Sequence, residues 1–312
     1  MAISVANFGP LTEPVLRKAF VDGWTEVEDP ILDLYTRQKT VKEVEHEIGI
    51  GEMGTTPEFT GTLLETEYFK QHQKDYRLKE WGQKLEIQRR AMSTDLYKVH
   101  AQKASMLGIN LKRRYMEEAA RPFNEAISGL SEVGRGADGL ALGSAVHTSL
   151  SPGGPTQSAR LTAAASYTAA ITAKNRMRRY LTPEGQRMSL YPDLLLTSTD
   201  EESQWNEFIN SPDRPDTGAR AKSVVQGGFY KGIKGWKNRG LEVMSSNFFT
   251  DPQMSFLIDS SFMKKMGLRW FDHTQPEFVR DQAFDTKRLR YSIYAAQMNG
   301  FLDWRWALII KP

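Results

Sequence analysis

The stretch from Thr94 to Arg121, TDLYKVHAQKASMLGINLKRRYMEEAAR, has the pattern of one long amphipathic helix that runs straight into Pro122. Thr94 is placed to cap its first turn, with Asp95 beside it. Twenty-eight residues at about 1.5 Å each span about 42 Å, more than the width of a small domain. Such a helix suits a strut better than the wall of a pocket. The residues expected to form its single buried seam are Leu96, Val99, Lys103, Leu107, Leu111, Tyr115 and Ala119.

The composition narrows the class of protein. With 312 residues, 40% of them hydrophobic, the chain is expected to fold around two modest cores or one extended core. The absence of cysteine excludes disulfides, thiol nucleophiles and thiolate metal sites, and it fits a chain made in a reducing cytoplasm. The N-terminus lacks a signal peptide, and no apolar run reaches eighteen residues, so we expect neither secretion by that route nor a membrane span.

Charge is unevenly distributed along the chain. Residues 1–59 carry 5 basic and 11 acidic side chains, a net charge of −6, whereas the whole chain has a net charge of +3. The acidic segment therefore has two possible kinds of partner. The rest of the same chain is one, and a second copy of the chain is the other.

Local patterns divide the chain into five segments. The arm is expected to begin with a short helix that has Pro14 in its first turn and ends at Gly23. A hairpin is expected with limbs at 63–69 and 76–87, joined by the polar loop 71–75. The predicted segments are an N-terminal arm at 1–57, an extended hairpin loop at 58–92, a domain at 93–160 with the long helix and a glycine-rich loop, a second domain at 161–262, and C-terminal strands at 263–312.

The second half of the chain has weaker signals. An alanine-rich helix is predicted from Leu161 to Tyr180, after the glycine-rich residues 129–155. We further expect a strand at 191–196, a helix capped by Asp200 that runs to Asn210, a strand at 289–294 that Gly300 interrupts, and a last strand at 304–310. No fixed-period repeat occurs.

Several patterns that suggest chemistry are weak in context. The glycine pattern at 49–54 is followed by Thr-Thr-Pro instead of the helix that would receive a pyrophosphate, so we interpret it as a flexible turn. Asp138, Ser144 and His147 have the side chains of a hydrolase triad but lack a nucleophile elbow, and we interpret them as loop residues. We predict no catalytic residue and no cofactor site. We also predict no metal site, because none of the five histidines has a second histidine at the spacing of metal ligands on a helix: His46, His72, His100, His147 and His273.

The segment 220–239 is basic and rich in aromatic residues. It has six cations and no acid, and its aromatics are of the kind on which single-stranded nucleic acid stacks. The alternative is a solvated or intersubunit glycine-rich loop. The residues concerned are Arg220, Lys222, Lys231, Lys234, Lys237 and Arg239, with Phe229, Tyr230 and Trp236.

The joint order of several short stretches resembles that of the major capsid proteins of tailed phages, which share the fold named after phage Hong Kong 97. No one motif is specific, but the matches cover most of the chain. They are Trp81-Gly82, Asp95-Leu96-Tyr97, Ala119–Ser128, Ala137–His147, Gly153-Gly154, Leu161-Thr162, Glu184–Leu196, Phe256–Asp259 and Gly300–Arg305.

The resemblance implies an α+β protein of the Hong Kong 97 type, with an N-terminal arm, an extended hairpin loop, a peripheral domain on a long spine helix, and an axial domain. It implies a structural, non-enzymatic protein of the virion, assembled in the host cytoplasm. Hexamers and pentamers of the chain would form an icosahedral shell around double-stranded DNA, without reading its sequence. A separate scaffolding protein, a portal and possible decoration proteins are the expected partners. An encapsulin-like compartment and a DNA-binding protein that uses 220–239 are the alternatives.

Overall fold

The long helix is the structural axis of the computed structural model, which describes residues 8–50, 70–88, 97–210, 241–283, 285–286 and 288–312. The α-helices in these ranges are α1 (Phe8–Glu26), α2 (Tyr97–Asn124), α3 (Tyr167–Met177), α4 (Thr199–Asn210) and α5 (Ser260–Met266), with a 3-10 helix at Pro30–Leu34. The strands are β1 (Thr36–Lys39), β2 (Val44–Ile50), β3 (Lys70–Arg77), β4 (Lys79–Ile87), β5 (His147–Thr148), β6 (Thr156–Gln157), β7 (Arg160–Thr162), β8 (Leu194–Ser198), β9 (Glu242–Ser246), β10 (Ser255–Ile258), β11 (Leu268–Gln282), β12 (Leu289–Phe301) and β13 (Ala307–Lys311).

Helix α2 confirms the predicted strut but corrects its seam. From Leu107 onward the predicted residues are buried. In the first turns Val99 and Lys103 are exposed, and His100 and Ala104 are buried instead. The reason is that α1 covers this part of α2 from a different side. The predicted cap at Thr94 and the residues to Leu96 lie outside the described residues.

Helices α1 and α2 cross with their backbones in contact. A Cβ atom built on Gly108 would lie 2.2 Å from the carbonyl oxygen of Phe20, and one on Gly23 would lie 2.2 Å from that of Ser105. Gly23 therefore lies inside α1 at the crossing, and the prediction that it ends this helix is wrong. Pro14 also lies inside the helix. Because Leu16 and Phe20 are buried here, this part of the arm packs on its own chain.

A four-stranded sheet packs against α2, with strand order β1-β11-β12-β4. Strands β11 and β12 form a long antiparallel pair, and β4 pairs with β12 in continuous register from Ile87 with Leu289 to Lys79 with Gln297. Trp81, Leu85 and Ile87 lie on the face toward α2, whereas Lys84 and Glu86 lie on the opposite face. One face of the sheet thus packs on α2, and the other face is solvated around Lys84 and Glu86 but covered by Tyr76 at Phe271 and Met298.

The predicted hairpin is wrong in its pairing. The polar residues 71–75 are not a loop but the middle of β3, which pairs antiparallel with β2. The segment 79–87 pairs with β12, and its predicted partner 63–69 lies outside the described residues. A hairpin does form, with limbs 44–50 and 70–77, and we call these residues the ribbon. Residues 71–75 are predicted to be a loop because they are polar, but a two-stranded ribbon exposes most of its side chains to water, so its strands can be polar as well.

A five-stranded sheet gathers the second half of the chain, in the order β7-β13-β10-β8-β9. The helix predicted from Leu161 is wrong in its first six residues. Leu161 pairs in parallel with Ile310, and the helix begins only after Ser166, whose Oγ accepts from the amide of Ala169 and caps it. The strand near 194–196 and the helix that follows are confirmed, although the helix already begins at Thr199.

The C-terminal strands connect the two sheets. Strand β12 runs through Gly300, which therefore does not interrupt it as predicted. A Cβ atom on Gly300 would lie 3.0 Å from the ring of Tyr76, so glycine admits that ring. The last strand, β13, lies inside the five-stranded sheet, between the edge strand β7 and the central strand β10. One continuous apolar core extends across both sheets and α2.

Candidate functional site

The glycine-rich segment 129–155 carries a buried pair of polar side chains, Asp138 and His147, which line a cleft. His147 Nδ1 lies 2.5 Å from Asp138 Oδ2, and its Nε2 lies 3.3 Å from the carbonyl oxygen of Leu142. The imidazole stacks on the indole of Trp304, with the ring centroids 4.2 Å apart and the planes 13° apart. Both ring nitrogens thus face oxygen atoms, and one ring face is covered.

Ser144 does not join this pair. Its hydroxyl donates to the carbonyl of Val146 and accepts from the amide of the same residue, at 3.3 and 3.2 Å. The nitrogen that a general base would present to a serine is instead directed at the Leu142 carbonyl. Asp138 Oδ1 accepts from the amide of Leu140, a contact within the loop itself. The arrangement therefore fixes the loop and lacks the geometry of a triad.

The base of the ribbon is attached to this glycine-rich segment through Lys74. The lysine is buried, and its Nζ donates to the carbonyl oxygens of Glu132 and of Arg135, the latter at 2.8 Å. Burial lowers the pKa of Lys74 from 10.5 to about 8. A lysine in the polar stretch 71–75 gave no signal in the sequence for this role, because its burial depends on a segment sixty residues away.

Further contacts hold the ribbon to the rest of the chain. Gln71 Nε2 donates to Ser151 Oγ at 2.9 Å. The Tyr76 hydroxyl donates to Glu47 Oε2 at 3.0 Å, and Arg269 Nε donates to the other oxygen of that carboxylate at 3.1 Å. The acidic arm is thus partly neutralised within the chain, which is one of the two alternatives that its charge left open. These contacts hold the described ribbon along its length, from Tyr76 near its base to Gln71 near its outer end, while Ile48 on the other limb is 48% exposed.

Glu118 is a second buried charge that the sequence did not reveal. The carboxylate is fully buried and forms salt bridges with Lys79 at 2.8 Å, Arg121 at 2.7 Å and Arg114 at 3.0 Å. Arg114 also lies over the ring of Trp81, 4.2 Å from its centroid. Three cations from α2 and β4 therefore converge on one carboxylate and join the long helix to the edge of the sheet.

The remaining sequence candidates do not form a site in the described part of the chain. No group of three histidine or acidic side chains there is placed to hold a metal ion. Gly49 lies within β2, and the rest of the glycine pattern, residues 51–54, lies outside the described residues. So does the whole basic segment 220–239. None of the described helices has the length and apolar character that crossing a membrane requires.

Comparison with protein families decides the assignment. The family model described as "Phage capsid protein" matches residues 71–310. The chain belongs to this phage capsid family. That match takes in the ribbon's second strand, the glycine-rich segment, the Glu118 cluster and both sheets apart from β1, so the features described above are parts of a capsid protein. No curated protein sequence matches the chain.

Solved structures show the same fold at low sequence identity. The capsid of a native GTA particle is 12% identical, with a TM-score of 0.57, and the alignment covers 91% of each chain. The capsid of cyanophage P-SCSP1u is also 12% identical, with a TM-score of 0.55 over 89% of this chain and 86% of the other. The holo-SrpI encapsulin complex of Synechococcus elongatus is 10% identical, with a TM-score of 0.50 over 90% and 86%. The capsid fold of the Hong Kong 97 type is thereby confirmed.

Proposed function

We propose that this chain is the major capsid protein of a tailed double-stranded DNA phage. Hexamers and pentamers of the chain form a closed icosahedral shell that encloses the genome in the virion. The observation that carries the proposal is the family match over 71–310, together with a ribbon that has no core of its own beyond its root. A two-stranded ribbon is marginally stable alone in water, so it needs a neighbouring surface.

Within this function the described elements have distinct roles. The four-stranded sheet with α2 is the peripheral domain, the five-stranded sheet is the axial domain around the capsomer centre, and the ribbon overlaps a neighbouring subunit. No step of chemistry is required. The geometry of Ser144 and His147 supports a non-enzymatic protein, because their polar groups hold the loop. Scaffolding, portal and decoration proteins are the proposed partners, and assembly takes place in the host cytoplasm.

A protein compartment with a protein cargo is the second candidate. The observation that favours it is the shared fold of the Synechococcus encapsulin. The two functions differ in what the particle contains and not in how the subunit folds. A third candidate, a DNA-binding protein that uses 220–239, requires tight and salt-sensitive DNA binding by unassembled subunits.

Electron microscopy of the purified protein tests the proposal. We expect uniform closed shells, both from infected cells and after expression with neighbouring genes, and nuclease-protected DNA inside the native particles. Shells that hold an enzyme in place of DNA would favour the compartment. Monomers or dimers alone in both preparations would reject the shell function, and salt-sensitive binding of a DNA duplex by those subunits would favour the third candidate.

A further inference from the structure

Basic side chains gather at both ends of the outer edge of the four-stranded sheet. Strand β4 is the edge strand, and no described strand pairs with its outer side. At one end of β4, Lys79, Arg114 and Arg121 share the single carboxylate of Glu118. In this first cluster the three cations are each about one third exposed, although the carboxylate is buried.

A second basic cluster lies at the other end of β4. Arg290 Nε lies 2.8 Å from Glu86 Oε1, Arg288 Nη1 lies 3.5 Å from Oε2, and Lys84 Nζ lies 3.8 Å from Oε1. The cations hold the pKa of Glu86 below its ordinary value, with the Arg290 hydrogen bond as the largest cause. Even with Glu117, which pairs with Arg114, and the exposed Glu80 between the clusters, the edge has six cations and four carboxylates among the described residues. We call these two clusters the basic edge.

A surplus of positive charge on one edge is complemented by acid elsewhere on the same chain. Asp22 and Glu26 of α1, Glu28 in the connection that follows it and Asp33 of the 3-10 helix are exposed, and none of them forms an ion pair with a described residue. Lys112 interacts electrostatically with Glu28 and Asp33, and it lies over the ring of Trp24. We call these four carboxylates the acidic face.

The basic edge and the acidic face point in different directions. Helix α1 lies on the side of α2 that carries Ser105 and Gly108. Six residues after Gly108, at about 100° per residue, Arg114 points about 120° away around the helix. Because the two surfaces lie on different flanks of α2, one subunit cannot satisfy them internally. Two different surfaces that meet between copies make a head-to-tail contact, which closes into rings.

We propose that the basic edge of one subunit binds the acidic face of a second copy of this chain. The proposal rests on the shell function proposed above and gives it a specific contact. Complementary charge sets the register and speeds encounter, and both effects weaken as salt screens them. The contact also covers the unpaired edge of β4, which would otherwise be open to irregular strand pairing.

Charge reversal on each surface tests this contact. Variant A is Glu26→Lys with Glu28→Lys, and variant B is Lys84→Glu with Arg288→Glu, all at exposed positions. Each variant alone places like charges in contact, so we expect its rate of assembly at low salt to fall by about tenfold or more. A mixture of A and B again places opposite charges in contact, and it is expected to recover assembly.

The controls separate this contact from folding and from the shell function. Glu207→Lys with Glu242→Lys reverses two exposed acids near the five-stranded sheet and is expected to assemble normally. Circular dichroism and thermal unfolding of unassembled subunits show whether A and B are folded. If the wild-type chain forms shells and folded A and B form them equally fast, the contact is wrong. If the wild-type chain forms no shells under any condition, the shell function itself fails.

Discussion

Pro122 lies inside the last turn of α2, where a proline is normally unfavourable. A proline has no N–H, so the carbonyl of Glu118 loses the donor that a helix would give it. Asn299 supplies the missing donor, with its Nδ2 2.7 Å from that carbonyl oxygen. The side chain of Asn299 in β12 thus allows the helix to continue through Pro122 to Asn124.

Removal of the Asn299 donor should destabilise the subunit more when the proline is present than when it is absent. We expect Asn299→Ala to lower the free energy of unfolding by about 1–3 kcal/mol, because it leaves a buried carbonyl unpaired. In a Pro122→Ala background the helix supplies its own N–H, and the same substitution should cost about 1 kcal/mol less. Urea unfolding of the wild type, the two single variants and the double variant measures the coupling between Asn299 and Pro122. Equal costs of Asn299→Ala in both backgrounds would contradict this coupling.

Lys74 makes the stability of the subunit depend on pH. Its pKa is about 8 in the folded chain and 10.5 in an ordinary environment, so the unfolded chain binds more protons between these values. Stability from this group therefore rises as pH increases from 8 to 10, and below pH 8 the cost of the buried charge is constant.

The comparison chain is Lys74→Met, which keeps the length of the side chain and lacks the charge. We expect the unfolding free energy of the wild type, relative to this variant, to increase between pH 8 and 10. Tyrosines with raised pKa values, such as Tyr115, titrate equally in both chains and do not affect the difference. Urea unfolding of unassembled subunits at several pH values measures this difference in unfolding free energy. A difference that stays constant or falls between pH 8 and 10 would contradict the lowered pKa of Lys74.

At the scale of elements, the crossing of α1 and α2 depends on glycine. Gly108→Ala should destabilise the subunit by about 3 kcal/mol or more, because its Cβ would meet backbone that cannot move aside. Gly82→Ala in β4 is the matched control, since its Cβ would lie 3.5 Å from the Ile293 carbonyl oxygen, an ordinary contact. Thermal unfolding of both variants distinguishes them, and equal melting temperatures would show that the helices do not cross there.

The elements that the sequence predicted correctly are those with strong local signals. The buried face of α2 from Leu107 onward and the strand near 194–196 follow from apolar periodicity alone. The failures at 71–75 and 161–166 have a common cause. Residues 71–75 and 161–162 lie in strands because a strand from elsewhere in the chain pairs with them, and neither segment has the apolar alternation that would predict a strand.

At the scale of the whole molecule, the ribbon should matter for the shell and not for the fold. Ile50 pairs with Lys70, so replacing 51–69 by an Asn-Gly turn closes the two limbs directly. We expect this shortened chain to unfold at the wild-type temperature and to form no closed shells, because neighbouring subunits lose the overlap. Electron microscopy and thermal unfolding measure the two effects, and intact shells would mean that the segment 51–69, between the two limbs of the ribbon, does not join subunits.

The sequence by itself determined the long helix and the capsid resemblance. Those conclusions depend on residue type and order, which the chain displays directly. Only the tertiary structure decided that Lys74 is buried, that three cations meet at Glu118, and that α1 lies on its own chain. Each of these depends on segments far apart in sequence whose charges and backbones come into contact only on folding, and no local pattern encodes such a distance.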